Sequence, residues 1–352
     1  MLCVSIVNIE FKGKYNNQFV TWFLALGRSF VKKGENMKNG DKSIQGICFG
    51  EVLWDNLPTG KKLGGAPLNV AYHLNKLGVT TRMLTRIGRD DNGYELRNVC
   101  EDLGIPTDFF QYDDLLPTST VEVSIDAKRD VHYDIVYPVA WDRIAVDNVV
   151  LEAVAAVNFL VYGSLACRDE VSFQSLLLLL EKARFRVMDV NLRTPYFGPE
   201  KIHKLLGYAD FVKMNAEELH VISDWNGATD TYTDQQRVDL IMERFAVQEA
   251  IVTYGADGAV YHYKKDNISY HFPALKVQVE DTIGSGDSFL AAFLTKRFQM
   301  QEGVQLEEVL EFAATLSGFV TQSRGACPEY NDEVINRFQW LHPIFNGAQK
   351  QQ

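Results

Sequence analysis

Ile47-Cys48-Phe49-Gly50-Glu51-Val52-Leu53 is a short apolar run ending in turn chemistry, and the stretch from Pro67 to Leu77 sets Val70, Ala71, Leu74 and Leu77 on one helical face. The first pattern reads as one buried strand. The second reads as a helix, with Pro67 suited to its first turn and Gly78 suited to stop it. Strand and helix then keep alternating: Phe159 to Tyr162 before a Leu-rich helix from Ser172 to Ala183, Arg186 to Val190, Phe211 to Met214 before Glu217 to Ile222, and Ala250 to Thr253. Apolar strands interleaved with helices predict an α/β fold, a central, mostly parallel sheet with helices on both faces.

One segment breaks the rule. Thr118 to Ile125 and Val131 to Val136 alternate polar and apolar residues around Asp126-Ala127-Lys128-Arg129-Asp130, the signature of a hairpin with one wet face. Such a hairpin inserted in an α/β domain is either a flap or an ordinary edge hairpin.

The chain has 352 residues, 46% hydrophobic and 23% charged, the balance of a folded protein. Its apolar run from Phe19 to Leu26 falls far short of the ~20 residues a bilayer span needs, so no integral membrane protein is expected. A net charge of −11 leaves no electrostatic footprint for nucleic acid and points to a small-molecule partner. The five cysteines are scattered, without CxxC or a metal-ligand spacing, and read as reduced thiols of a cytoplasmic protein. Residues 1–45 carry seven Lys/Arg and three Asp/Glu against 28 and 43 in the remainder, a shift that marks them as a tail outside the core.

The most informative segment is Asp281-Thr282-Ile283-Gly284-Ser285-Gly286-Asp287-Ser288-Phe289-Leu290-Ala291-Ala292-Phe293, small residues opening directly into an apolar helix. Unpaired amides and the positive end of a helix dipole favour an anion there, and Gly284, Ser285 and Gly286 allow its close approach. Asp287 would lie beside that anion, able to accept a proton from an attacking hydroxyl. A plain N-cap accounts for the same residues.

This segment resembles the D-T-x-G-x-G-D signature of the ribokinase-like (PfkB) carbohydrate kinases. Gly64-Gly65-Ala66-Pro67-Leu68-Asn69-Val70-Ala71 resembles their G-G-x-x-x-N-x-A signature. The similarity runs from Gly46 to past Gly325. Gly50-Glu51-Val52-Leu53-Trp54-Asp55, Asp189-Val190-Asn191-Leu192-Arg193 and Lys213-Met214-Asn215 are most similar to bacterial fructokinases. The resemblance implies a ribokinase-like kinase domain over 46–345, with a small β-sheet lid from about 53–63 and 113–138 and a C-terminal tail over 346–352.

It also implies roles. Asp287 would be the catalytic base, and Gly284, Ser285 and Gly286 the anion hole for the transferring phosphoryl group. Asp281, Ile283 and the Ser323-Arg324-Gly325 loop match positions that bind a monovalent cation such as K+. Asn215-Ala216-Glu217-Glu218 matches an N-x-x-E pattern that organises Mg2+ through water, although Asn215 and Glu218 also have the spacing of a capping box. Thr253, Gly255 and Gly258 match a T-x-G-x-x-G that touches ATP phosphates. Ala314 stands where ribokinases often carry a base-contacting Asn.

On the sugar side, the resemblance assigns hydroxyl contacts to Asp55, Gly65 and Asn69, with Arg193 near the sugar or phosphate end. Buried polar groups that pair with several hydroxyls select a polyol, since each one left unpaired costs about 1–3 kcal/mol. The expected activity is ATP-dependent phosphorylation of a sugar, with fructose first among substrates. Ribose, 2-keto-3-deoxygluconate or nucleoside kinases are the alternatives, as is a catalytically silent sugar sensor. No G-x-G-x-x-G follows the first strand, so a nicotinamide oxidoreductase is set aside. Open lid edges would offer a surface for a homodimer.

Overall fold

The computed structural model describes residues 44–57, 60–125, 131–299, 305–331 and 334, with backbone alone for Leu57 and for 122–125 and 131–134. The expected tails, apart from residues 44 and 45, lie outside the described residues, as do the 126–130 turn and the side chains of His132 and Tyr133.

Among the described residues, the main sheet has nine strands in the order β13-β12-β11-β10-β9-β8-β1-β4-β5. These are β1 Gln45–Phe49, β4 Thr80–Gly88, β5 Phe110–Asp113, β8 Phe159–Gly163, β9 Arg186–Asp189, β10 Phe211–Asn215, β11 Glu249–Thr253, β12 Ala259–Tyr263 and β13 Ile268–Phe272. All neighbours from β5 to β11 are parallel; β12 and β13 close one edge antiparallel. Strand alternation feeds two cores. Ile47 and Phe49 pack with Leu160, Tyr162, Leu176 and Leu219, while Cys48 and Val161 pack with Val70, Leu290, Phe293 and Leu310 on the other face. The second core rests on α1 Ala66–Lys76, α8 Ser285–Gln299 and α9 Leu306–Thr321, the first on α4 Glu170–Lys182 and α6 Ala216–Trp225 among others.

The single strand expected from Ile47 to Leu53 is instead two. β1 ends at Phe49, Gly50 to Val52 turn, and β2 Leu53–Leu57 enters a second sheet ordered β3-β2-β6-β7, with β3 Gly60–Gly64, β6 Ser119–Ile125 and β7 Val131–Ile135. The apolar pattern concealed the switch, because Val52 in the turn and Leu53 and Trp54 at the start of β2 are as buried as the residues of β1. The β6–β7 hairpin is antiparallel, as its alternation predicted, but its first strand begins at Ser119; Asp113 belongs to β5 in the main sheet. Arg168 ties this small sheet down. Its guanidinium donates to the carbonyls of Ile135 and Val136, pairs with buried Asp142 at 2.7 Å and lies 4.0 Å from the Trp141 ring centroid. Such a buried pair costs desolvation, so its use lies in fixing where β7 leaves the body. No helix of the described residues is long and apolar enough to cross a membrane.

Candidate active site

The C-terminal ends of parallel strands β1, β9, β10 and β11 converge beside the N-terminus of α8, the position where open α/β sheets bind ligands. Asp287 sits in the first turn of α8. Among the described residues neither its amide nor that of Gly286 has a protein acceptor, whereas the Ser285 amide turns to the Thr282 carbonyl at 3.3 Å. The Gly284 amide, just before the helix, likewise has no protein acceptor among the described residues, so of the Gly284–Gly286 triplet only Ser285 turns its amide inward. Gly284 makes this start possible: its φ is +78°, and an added Cβ would lie 2.6 Å from the Ala326 Cβ.

The Asp287 carboxylate accepts a hydrogen bond from Asn69 Nδ2 at 2.8 Å. Asn69 is buried in α1, and the Cys327 thiol approaches its Oδ1 at 3.5 Å. Burial raises the Asp287 pKa to about 6, and Asp189 adds to the rise; Lys213, the Asn69 hydrogen bond and Arg193 oppose it. Lys213 Nζ meets both Asp189 oxygens at 2.9 Å and lies beside Gly286. Burial works against the Lys213 charge, but Asp189 and then Asp287 outweigh it and hold the pKa above the ordinary lysine value.

Asn215 and Glu218 form the capping box: each side chain accepts the other's amide, at 2.8 and 2.9 Å. Glu218 also accepts the Leu192 amide at 2.8 Å, which ties the Asp189–Arg193 loop to the end of β10. Asn215 faces Thr253 in register across β10 and β11, so the N-x-x-E pair and the Tyr254–Gly258 turn share one rim. Among the described residues no cluster of three His, Cys, Asp or Glu is arranged to hold a metal. A magnesium ion that keeps its waters fits this donor set, because each Glu218 oxygen engaged by an amide retains a lone pair. The Asp281 carboxylate accepts the amides of Ile283 at 3.0 Å and Gly325 at 3.1 Å, holding together the two segments matched to a monovalent cation. Ala314 is buried on α9.

At the sugar end, Asp55 on β2 stands opposite Lys62 on β3. Burial raises the Asp55 pKa and Lys62 opposes the rise. Gly65, with φ +120°, begins α1 where an added Cβ would strike the Glu51 carbonyl oxygen. Arg193 is exposed but acts electrostatically on both Glu51 and Asp287, so it lies near both. His73, four residues from Asn69, is no ligand. Its Nε2 meets the Ala326 carbonyl at 2.9 Å and must carry the proton, leaving Nδ1 to accept the Tyr330 hydroxyl at 2.8 Å.

Besides Asp287, the expected base, Glu51 and Asp189 bring two further buried carboxyls to the site. Together with Lys213 these are what the sequence reading missed. The available signal was a charge inside an apolar strand: Lys213 in Phe-Val-Lys-Met and Asp189 closing Val-Met-Asp must be paired if those strands are buried.

The sequence profile of the pfkB family carbohydrate kinases matches residues 41–332. This chain belongs to that family. It is a sugar kinase. Among its relatives, the probable fructokinase-6, chloroplastic, of Arabidopsis thaliana is 26% identical over 308 residues, 80% of this chain and 78% of the relative, and the fructokinase of Solanum tuberosum is 26% identical over 303 residues, 80% and 91%. Among solved structures, a fructokinase with bound ATP from Xylella fastidiosa superposes with a TM-score of 0.71 at 21% identity, covering 84% of this chain and 98% of that one. The aminoimidazole riboside kinase of Salmonella enterica, complexed with aminoimidazole riboside and an ATP analogue, superposes with a TM-score of 0.67 at 24% identity, covering 84% and 99%. These structures share the ribokinase-like fold.

Proposed function

We propose that this sugar kinase transfers the γ-phosphoryl group of ATP to a hydroxyl of fructose, with Asp287 as the proton acceptor. One observation carries the reading: the Asp287 carboxylate and two unpaired amides share the first turn of α8. A carboxylate cannot fully deprotonate an alcohol at neutral pH. Asp287 therefore orients the hydroxyl and takes its proton late, while the Gly286 and Asp287 amides receive the charge that builds on the phosphoryl oxygens. Lys213, kept charged by Asp189, neutralises part of that charge from beside Gly286. Asp55, the Gly65 amide and Asn69 hold the sugar; Arg193 borders the phosphoryl path. The Thr253–Gly258 turn and Asn215 line the nucleotide side. Glu218 would hold magnesium through water, and Asp281 and Ile283 a monovalent cation; magnesium, when bound, shields the triphosphate charge. The small sheet acts as the lid that keeps water, the competing acceptor, from the phosphoryl group.

The relatives' fructokinase names support fructose, while the riboside kinase with the same fold argues that the fold alone does not select the acceptor. Lys62 favours a second reading. Half-buried opposite Asp55, it makes no ion pair among the described residues, and an acidic polyol such as 2-keto-3-deoxygluconate would supply its counter-charge. A coupled ADP-release screen over fructose, ribose, glucose, 2-keto-3-deoxygluconate and nucleosides decides. Fructose turnover at least about tenfold above the others supports the first reading, and no ADP release with any acceptor overturns both.

A further inference from the structure

Glu51 follows β1 in the turn toward β2, at the ligand side of the main sheet, and is only 2% exposed. Its own amide and that of Ala66 face the carboxyl, yet Oε2 has no hydrogen-bond partner. A buried polar oxygen left unpaired costs about 1–3 kcal/mol, so a residue that served packing alone would be paired or apolar. The groups that act on this carboxyl come from three other elements: Arg193 from the loop after β9, Asp287 from the first turn of α8, and Cys167 from the turn before α4. Two of the three, Arg193 and Asp287, belong to the candidate site described above.

We propose that Glu51 is a substrate-binding residue whose free Oε2 takes a hydroxyl of the polyol next to the hydroxyl that faces Asp287. The proposal rests on the kinase reading and adds to it a contact that sets the acceptor's register. Burial raises the Glu51 pKa to about 7, with Asp287 adding to the rise and Arg193 opposing it. In the neutral form Oε2 can carry the proton and donate it to an alcohol oxygen. Ionisation would turn that donor into an acceptor and set a second negative charge beside Asp287 and the incoming phosphoryl group.

The test uses Glu51→Leu and Glu51→Gln in the full chain, with KM for sugar and for ATP, kcat, and the melting temperature without ligands. Glu51→Leu should raise the sugar KM about tenfold or more, leave the ATP KM within about twofold, and melt no lower than the wild type. In the wild type, kcat/KM for the sugar should decline as pH rises through about 7, and Glu51→Gln should lose that decline while keeping its activity below it. An unchanged sugar KM in Glu51→Leu, or a lower melting temperature with equal losses for both substrates, overturns the proposal. Should the leucine variant fail to fold, a glutamine variant with the wild-type alkaline limb overturns it. A wild-type chain that phosphorylates no polyol removes the kinase reading, and this proposal with it.

Discussion

Asn69 Nδ2 donates to Asp287 Oδ2 at 2.8 Å, joining residues 218 positions apart. The bond couples the glycine-led start of α1 to that of α8, so the segment expected to hold the sugar also orients the group expected to take its proton. Asn69 itself is held by burial in α1 and by the approach of Cys327.

Removing the Asp287 carboxylate separates chemistry from binding. Asp287→Asn should lower turnover at least about a hundredfold while sugar affinity, measured by calorimetry, stays within a few-fold. Near-wild-type turnover in the pure variant would exclude Asp287 as the proton acceptor.

The same carboxylate makes stability fall with pH. Its pKa is raised from 3.8 to about 6, so between those values the folded chain binds more protons than the unfolded one, and stability declines as pH rises through that window. Asp287→Asn should therefore melt higher than the wild type at pH 7, by a stabilisation on the order of 1 kcal/mol, and at the same temperature at pH 3. Activity should run the other way, with kcat falling as pH drops through about 6 and the base gains its proton.

Asp55→Ala should weaken sugar binding far more than ATP binding, because Asp55 lies on the small sheet and the nucleotide rim lies on β10 and β11. Equal losses in two calorimetric titrations would count against the sugar site. Lys62→Met is the companion: it should leave fructose affinity within about threefold but weaken an acidic polyol about tenfold or more.

Gly284→Ala should destabilise the chain by about 2 kcal/mol or more, because a left-handed backbone and a Cβ crowding the Ala326 Cα at 2.7 Å act together. Denaturant unfolding measures this. Ala326→Gly in the same chain should recover only part of the loss, since it removes the side chain but not the Cα.

His73→Leu probes the clamp on the segment from Ala326 to Tyr330. Losing the Ala326 carbonyl and Tyr330 hydroxyl partners should cost about 1–3 kcal/mol at neutral pH. Burial lowers the His73 pKa to about 4, so the folded chain holds it neutral and its contribution is lost as pH falls below the unfolded value of 6.5. The gap between variant and wild type in urea midpoint should thus narrow toward pH 4.

The phosphate motif was legible because small residues followed at once by an apolar helix are a local pattern, and the alternation of strands and helices is equally local. Other features were not. The small sheet from about residue 53 was implied only by the family resemblance; residue pattern alone did not mark where β1 ends and β2 begins, since Val52, Leu53 and Trp54 are all buried. Asn215 and Glu218 form a cap, as their spacing allowed, and the second partner of the Glu218 carboxylate, the Leu192 amide, lies 26 positions away where no spacing rule reaches.

By itself the sequence determined an α/β chain with a glycine-flanked helix start bearing Asp287, because hydrophobic periodicity and helix-terminal chemistry depend on residues a few positions apart. Only the tertiary structure decided which amides stay open, that Lys213 is held by Asp189, and that Glu51 and Asp287 lie near enough to repel each other. Pairing and protonation are set by burial and by charges brought together from distant strands, and those distances come into being only when the sheet is assembled.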